Sequence, residues 1–268
     1  MYDPVRASEL VCPRKVCAAF SGAIEFDAPL VNRAFTADPS ARVINGYLYI
    51  VTSHDTDERN QWPPRDEAQF QMRDYRLLRA ASPDSPVEDL GTLLTLNQIK
   101  WAAGQMWAPE LAIGRDGRFH LLFAAKDRYG AFRLGAAHAD HPEGPYLPDD
   151  VPIPGAFSID PSVMIDHPKG AAYVYWGGLQ GGQLERWEEI AASRASGEHG
   201  ITSGDVYREG HADGSAHGPL AARLDSGMSR LESDVVELQV LDENGKRIKA
   251  ADRDRCFFEG VQVYQVRD

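Results

Sequence analysis

Cysteine is scarce in this sequence: Cys12, Cys17 and Cys256 are the three among 268 residues. An odd, small number argues against a disulfide framework, and Cys12 and Cys17 lack the second pair that a structural zinc site would use. All three read as free thiols. Basic residues are outnumbered, 28 Lys and Arg against 40 Asp and Glu, for a net charge of −12. Phosphate backbones and anionic lipid surfaces attract basic proteins, so neither nucleic acid nor a membrane is an expected partner. A neutral ligand such as a sugar meets no electrostatic conflict. No apolar run approaches the roughly 18 residues of a membrane span. Residues 1–26 scatter charges where a signal peptide would be continuously apolar, so the expected localisation is cytoplasmic. The glycines of 177–182 have neither G-x-G-x-x-G spacing nor βαβ surroundings, which excludes a phosphate loop.

What is present is an ordinary globular composition, 43% hydrophobic and 25% charged, on a chain long enough to bury a sizeable core. The apolar pattern runs mostly at period two. Stretches 42–51 (RVINGYLYIV) and 118–123 (RFHLLF) are rich in β-branched and aromatic residues and bounded by Gly, Asn and Asp, which marks strands and hairpins. One stretch, 183–195, has helical spacing through Leu184, Trp187, Ile190 and Ala191. The polar, Gly-rich stretch 196–218 reads as a long surface loop, with His211 and His217 solvated in it.

A repeat appears when the strands are aligned. Its copies start at Ala37, Trp107 and Ile159, and a fourth starts at Phe258. Each full copy has a small or acidic entry, an apolar strand, a Gly-containing turn and an apolar return strand. Spaced repeats of short antiparallel strands suggest propeller blades, whose first strands line a common axis. Asp38, Glu110, Asp160 and Glu259 all lie near such strand entries, so carboxylates far apart in sequence would meet in one pocket. A single Asp-Pro is most simply a strand-entry turn. Two in register, with a Glu in register on a later copy, point to function.

The stretches APLVNRAFTADPSA (28–41), SHD (53–55), QMWAPE (105–110), FAAKD (123–127), SIDPSV (158–163), GGLQGGQL (177–184) and DRDRCFFEG (252–260) together resemble glycoside hydrolase family 43, the β-xylosidase and α-L-arabinofuranosidase family. The resemblance implies an all-β, five-bladed β-propeller. Here it is incomplete, about three blades plus the first strand of a fourth, as expected of a C-terminally truncated chain. Residues 1–27 form a leader that matches nothing in the family, and 28–268 form the partial catalytic domain. The implied activity is inverting hydrolysis of terminal xylose or arabinose from plant-type oligo- or polysaccharides. The implied roles are general base for Asp38, pKa-tuning and orienting carboxylate for Asp160, and general acid for Glu259. Inversion needs its acid and base roughly 6.5–9.5 Å apart, with water between base and sugar. Burial beside Phe257 and Phe258 and the charge of Asp160 are expected to keep Glu259 protonated. His54, Asp55, Trp107 and Gln183 are the implied substrate-binding residues. For Trp107 a core tryptophan between blades is an equal alternative. No cofactor is required. The complete fold has room for a structural calcium, and an open propeller edge offers a route to oligomers. The competing reading is a catalytically inactive, carbohydrate-binding propeller.

Overall fold

The computed structural model describes residues 31–56, 70–82, 85–166, 170–178, 213, 215–249, 251 and 257–263. Twelve strands in these residues form three four-stranded antiparallel sheets, each a meander of consecutive strands. The first contains β1 (Thr36–Ile44), β2 (Tyr47–Asp55), β3 (Met72–Ala80) and β4 (Glu88–Thr95). The second contains β5 (Ala102–Ile113), β6 (Phe119–Asp127), β7 (Phe132–Ala139) and β8 (Leu147–Pro148). The third contains β9 (Ser162–Asp166), β10 (Ala171–Trp176), β11 (Leu220–Leu224) and β12 (Val236–Glu237). Each sheet is one propeller blade, and β1, β5 and β9 are the first strands that the repeat anticipates.

Local chemistry explains the hairpins. Asn45 and Gly46 both have positive φ (50° and 85°), the turn geometry that matches the twist of two directly joined strands. The outermost strands of the second and third blades, β8 and β12, have two residues each, and β8 ends in Pro148, which leaves short edges there for other chains to pair with.

The core lies between the blades. All nine residues of β6 are buried, which fits a strand covered on both faces. Phe119, Leu121, Phe123 and Ala125 pack with Tyr49, Val51, Tyr75 and Leu77 of the first blade. Leu122 and Ala124 join a second cluster with Val174 and Trp176 of the third blade. Each blade thus closes its neighbour's core, and blade order fixes where the first strands lie.

The helical stretch 183–195 lies outside the described residues, as do the leader 1–27 and His211. His217 is not a freely solvated side chain. It pairs with Glu237, Nδ1 to Oε1 at 3.3 Å. The expected first strand of a fourth blade is, among the described residues, a single bridge between Glu259 and Gly178.

Candidate active site

Asp38 and Asp160 hold equivalent places. Aligning Pro39, Pro109 and Pro161 matches Asp38 with Ala108 and Asp160. Asp38 sits in a break of register between Ala37 and Ser40 on β1, and Asp160 lies two residues before the start of β9. Both aspartates have positive φ, 52° and 58°. Left-handed backbone is uncommon for a residue with a Cβ, and a following proline favours extended conformations. Such strain, about 1–3 kcal/mol per residue, persists only where the surroundings hold it. Ala108 does not share the positive φ. The strained backbone coincides with the two carboxylates.

Glu259 reaches the same place from far along the chain, through its bridge to Gly178. Gly178 leaves room for this approach: a Cβ there would lie 2.5 Å from Ile159 Cδ1 and 3.5 Å from the Cβ of Glu259, so the Ile159 side chain would have to move.

The three carboxylates lie close enough to feel one another's charge. Burial first, then the charges of Glu259 and Asp38, push the Asp160 carboxyl up to about 7, against the pull of the Gly260 N–H. Glu259 is raised by partial burial and then by Asp38. The repulsion between Asp160 and Glu259 is mutual and is felt most by the more enclosed partner. Phe258 is 39% exposed, so the enclosure it offers Glu259 is partial. Asp160 is half-buried while Glu259 is exposed, so Asp160 is the better holder of a shared proton.

Of the anticipated substrate-binding residues, two end β2 beside this cluster. The Asp55 carboxyl is raised by burial and by the charge of Asp38. His54 Nδ1 lies 2.7 Å from Asp74 Oδ1, and Thr92 Oγ1 donates to Asp74 Oδ2 at 2.9 Å. Trp107 is a core residue, 9% exposed. Its indole N–H donates to the Phe70 carbonyl at 3.0 Å, and its ring packs on Phe132 with centroids 4.3 Å apart. Of the two alternatives the sequence leaves open for Trp107, these contacts describe interblade packing. Gln183 lies outside the described residues.

Glu110 is corrected. It aligns with Ser40 and Ser162, two residues beyond the aspartate position, and turns into the protein. It is 6% exposed. Its carboxylate accepts from Ser40 Oγ at 2.5 Å and from the Val163 N–H at 3.1 Å, and it pairs with Arg42. One side chain on β5 thus ties β1 to β9, close behind Asp38 and Asp160. Burial raises its pKa, and Arg42, Ser40 and Val163 pull it back. Glu110→Ala would leave Arg42 and the Val163 N–H without their partner, a loss of about 3 kcal/mol for a buried network of this kind. The expected melting temperature falls by roughly 6–12 °C. A variant melting within 2 °C of the parent would show that this carboxylate does not hold the blades together.

Comparison with known proteins gives a consistent answer. The profile of "Glycosyl hydrolases family 43" matches residues 26–219. Xylosidase/arabinosidase 43A of Humicola insolens is 40% identical over 245 residues, which cover 89% of this chain and 71% of that protein. A β-xylosidase/α-arabinofuranosidase from a compost microbial metagenome, solved with xylotriose in a calcium-free form, superposes with a TM-score of 0.79 at 38% identity, covering 89% of this chain and 69% of that one. A GH43_1 enzyme from Xanthomonas citri gives 0.72 at 42% identity, covering 87% and 64% respectively. The chain therefore spans about two thirds of the length of these relatives, and its three blades are a portion of a five-bladed β-propeller. With the family profile and these relatives added to the fold, the chain belongs to glycosyl hydrolase family 43.

Proposed function

We propose that this protein hydrolyses terminal xylose or arabinose units of plant-type oligosaccharides or polysaccharides by an inverting, single-displacement route. The observation that carries the reading is the cluster of Asp38, Asp160 and Glu259, drawn from separate parts of the chain and coupled by charge. The Humicola insolens relative named for xylosidase and arabinosidase activity and the neighbour bound to xylotriose support the substrate class.

In this reading Glu259 gives its proton to the glycosidic oxygen as the bond to the anomeric carbon breaks. Water attacks that carbon from the opposite face, and Asp38 takes the water's proton. The sugar leaves with inverted configuration, and the acid and base are restored by net transfer of one proton through solvent. Glu259 is exposed enough to reach a leaving group. A bound sugar would shield it from water and raise its hold on the proton further. Asp160, partly protonated near neutral pH, sets the charge that both partners experience. Asp55 and His54 edge the same site and are positioned to bond sugar hydroxyls. Among the described residues no group of three or more His, Cys, Asp or Glu is placed to hold a metal ion.

The test is hydrolysis of 4-nitrophenyl β-D-xylopyranoside and α-L-arabinofuranoside, with the first-formed anomer read by NMR. Release of α-xylose from the β-xyloside is the expected result. Release of β-xylose would indicate a covalent two-step route. Binding of xylotriose without hydrolysis of either glycoside would establish the carbohydrate-binding reading instead.

A further inference from the structure

Comparing the blades position by position exposes a residue whose role the repeat itself does not explain. On the second strand of each blade, one residue lies opposite the residue that precedes the Asp/Ala-Pro pair. In the first blade Ala37 pairs with Ser53, and in the second Trp107 pairs with Ala124. In the third the Gly177 N–H donates to the Ile159 carbonyl at 2.8 Å. The equivalent residues are therefore Ser53, Ala124 and Gly177. The sheet accepts serine, alanine or glycine here, and Ser53 alone has a hydroxyl.

That hydroxyl is fully buried. Its Oγ lies 3.0 Å from Asp38 Oδ2 and 3.1 Å from the Ala37 carbonyl. A hydroxyl has one proton to donate, and a carboxylate is the stronger acceptor. We propose that Ser53 is a positioning residue that fixes the Asp38 carboxylate, and with it the left-handed turn at the Asp38-Pro39 step, in the orientation needed to take a proton from water. Asp160 is held differently, by the Gly260 N–H. In the second blade Ala108 leaves nothing to hold. The donor occurs where the carboxylate needing one occurs.

This inference rests on Asp38 being the base, and the experiment separates the two claims. Ser53→Ala and Ser53→Gly each remove the hydroxyl while installing a residue that another blade already carries at the same place. The groups that act on Asp38 or feel its charge are Asp55 on β2, Tyr75 on β3, Asp160 before β9 and Glu259; all remain in both variants. Without the donor the Asp38 carboxylate can leave the orientation in which it meets the water, and the cost falls on the chemical step. The expected result is a fall in kcat on the order of tenfold, with a KM for the nitrophenyl xyloside changed less than twofold and a xylotriose-binding stoichiometry equal to the parent's. Loss of folded enzyme would lower that stoichiometry together with kcat, so a loss of stability cannot imitate the result. If kcat stays within twofold of the parent, or falls only in step with the fraction that binds xylotriose, the proposal is overturned. If Asp38→Asn keeps full turnover, the base assignment itself is wrong, whatever Ser53 does.

Discussion

Asp38→Ala should lose roughly two to four orders of magnitude in turnover, with little change in xylotriose affinity. Removing a general base leaves the attacking water unactivated, and effects of about 10²–10⁴ are typical of such a step. The fold should survive the change, since Asp38 is exposed on β1, although alanine is less at ease than aspartate in the left-handed backbone there. Azide, which attacks without giving up a proton, should restore part of the rate. His54→Ala is the control. His54 sits at the edge of the site on its Asp74 partner and is expected to affect KM more than kcat. If Asp38→Ala kept near-full turnover while His54→Ala abolished it, the assignment of roles would be reversed.

Asp160→Asn should make the protein more stable at neutral pH while impairing catalysis. The native state raises this carboxyl from 3.8 to about 7, so folded protein holds the proton more tightly than unfolded chain does. Stability is then free of this penalty below about pH 4. It falls as pH rises towards 7, and the full penalty remains above. Asparagine cannot ionise, can still accept from the Gly260 N–H, and is at ease in left-handed backbone. At about 1.4 kcal/mol per pH unit the displacement is worth at most about 4 kcal/mol, and solvent at a half-buried site reduces it. A gain of about 2 kcal/mol at pH 8, or roughly 4–8 °C in melting temperature, is expected. Melting curves at pH 4 and pH 8 decide the matter: the advantage should be large at pH 8 and vanish at pH 4. An equal or negative effect at pH 8 would mean that the carboxylate cluster is not under electrostatic stress.

Much of the architecture was legible in the sequence because the blades repeat. Period-two runs marked the strands, Asn45-Gly46 marked a hairpin, and the two Asp-Pro steps marked equivalent strand entries. Glu110 lies near a strand entry, as the aspartates do, but the copies that start at Ala37, Trp107 and Ile159 set it level with Ser40 and Ser162, two residues beyond the aspartates, where it meets Ser40 and Val163 inside the protein. That signal was available. The fate of Trp107 was not, because the choice between open platform and interblade packing depends on Phe70 and Phe132, one from each neighbouring stretch of fold. The partners of Asp38 and His54 were equally hidden. Ser53 and Asp74 lie on other strands, and only the pairing register brings them into contact.

The meander within each blade has a consequence for the order of assembly. Pairing inside a blade joins neighbours in sequence, so loop closure costs little and each sheet can zip up early. The carboxylates, by contrast, come from different blades and are brought into place by the Glu110 knot and the shared faces of β6. The reaction centre is therefore a late product of folding. A protein whose blades had formed but not yet docked would show the full spectroscopic signature of β-structure and have no site at all, so far-ultraviolet circular dichroism and catalytic competence would rise on separate timescales.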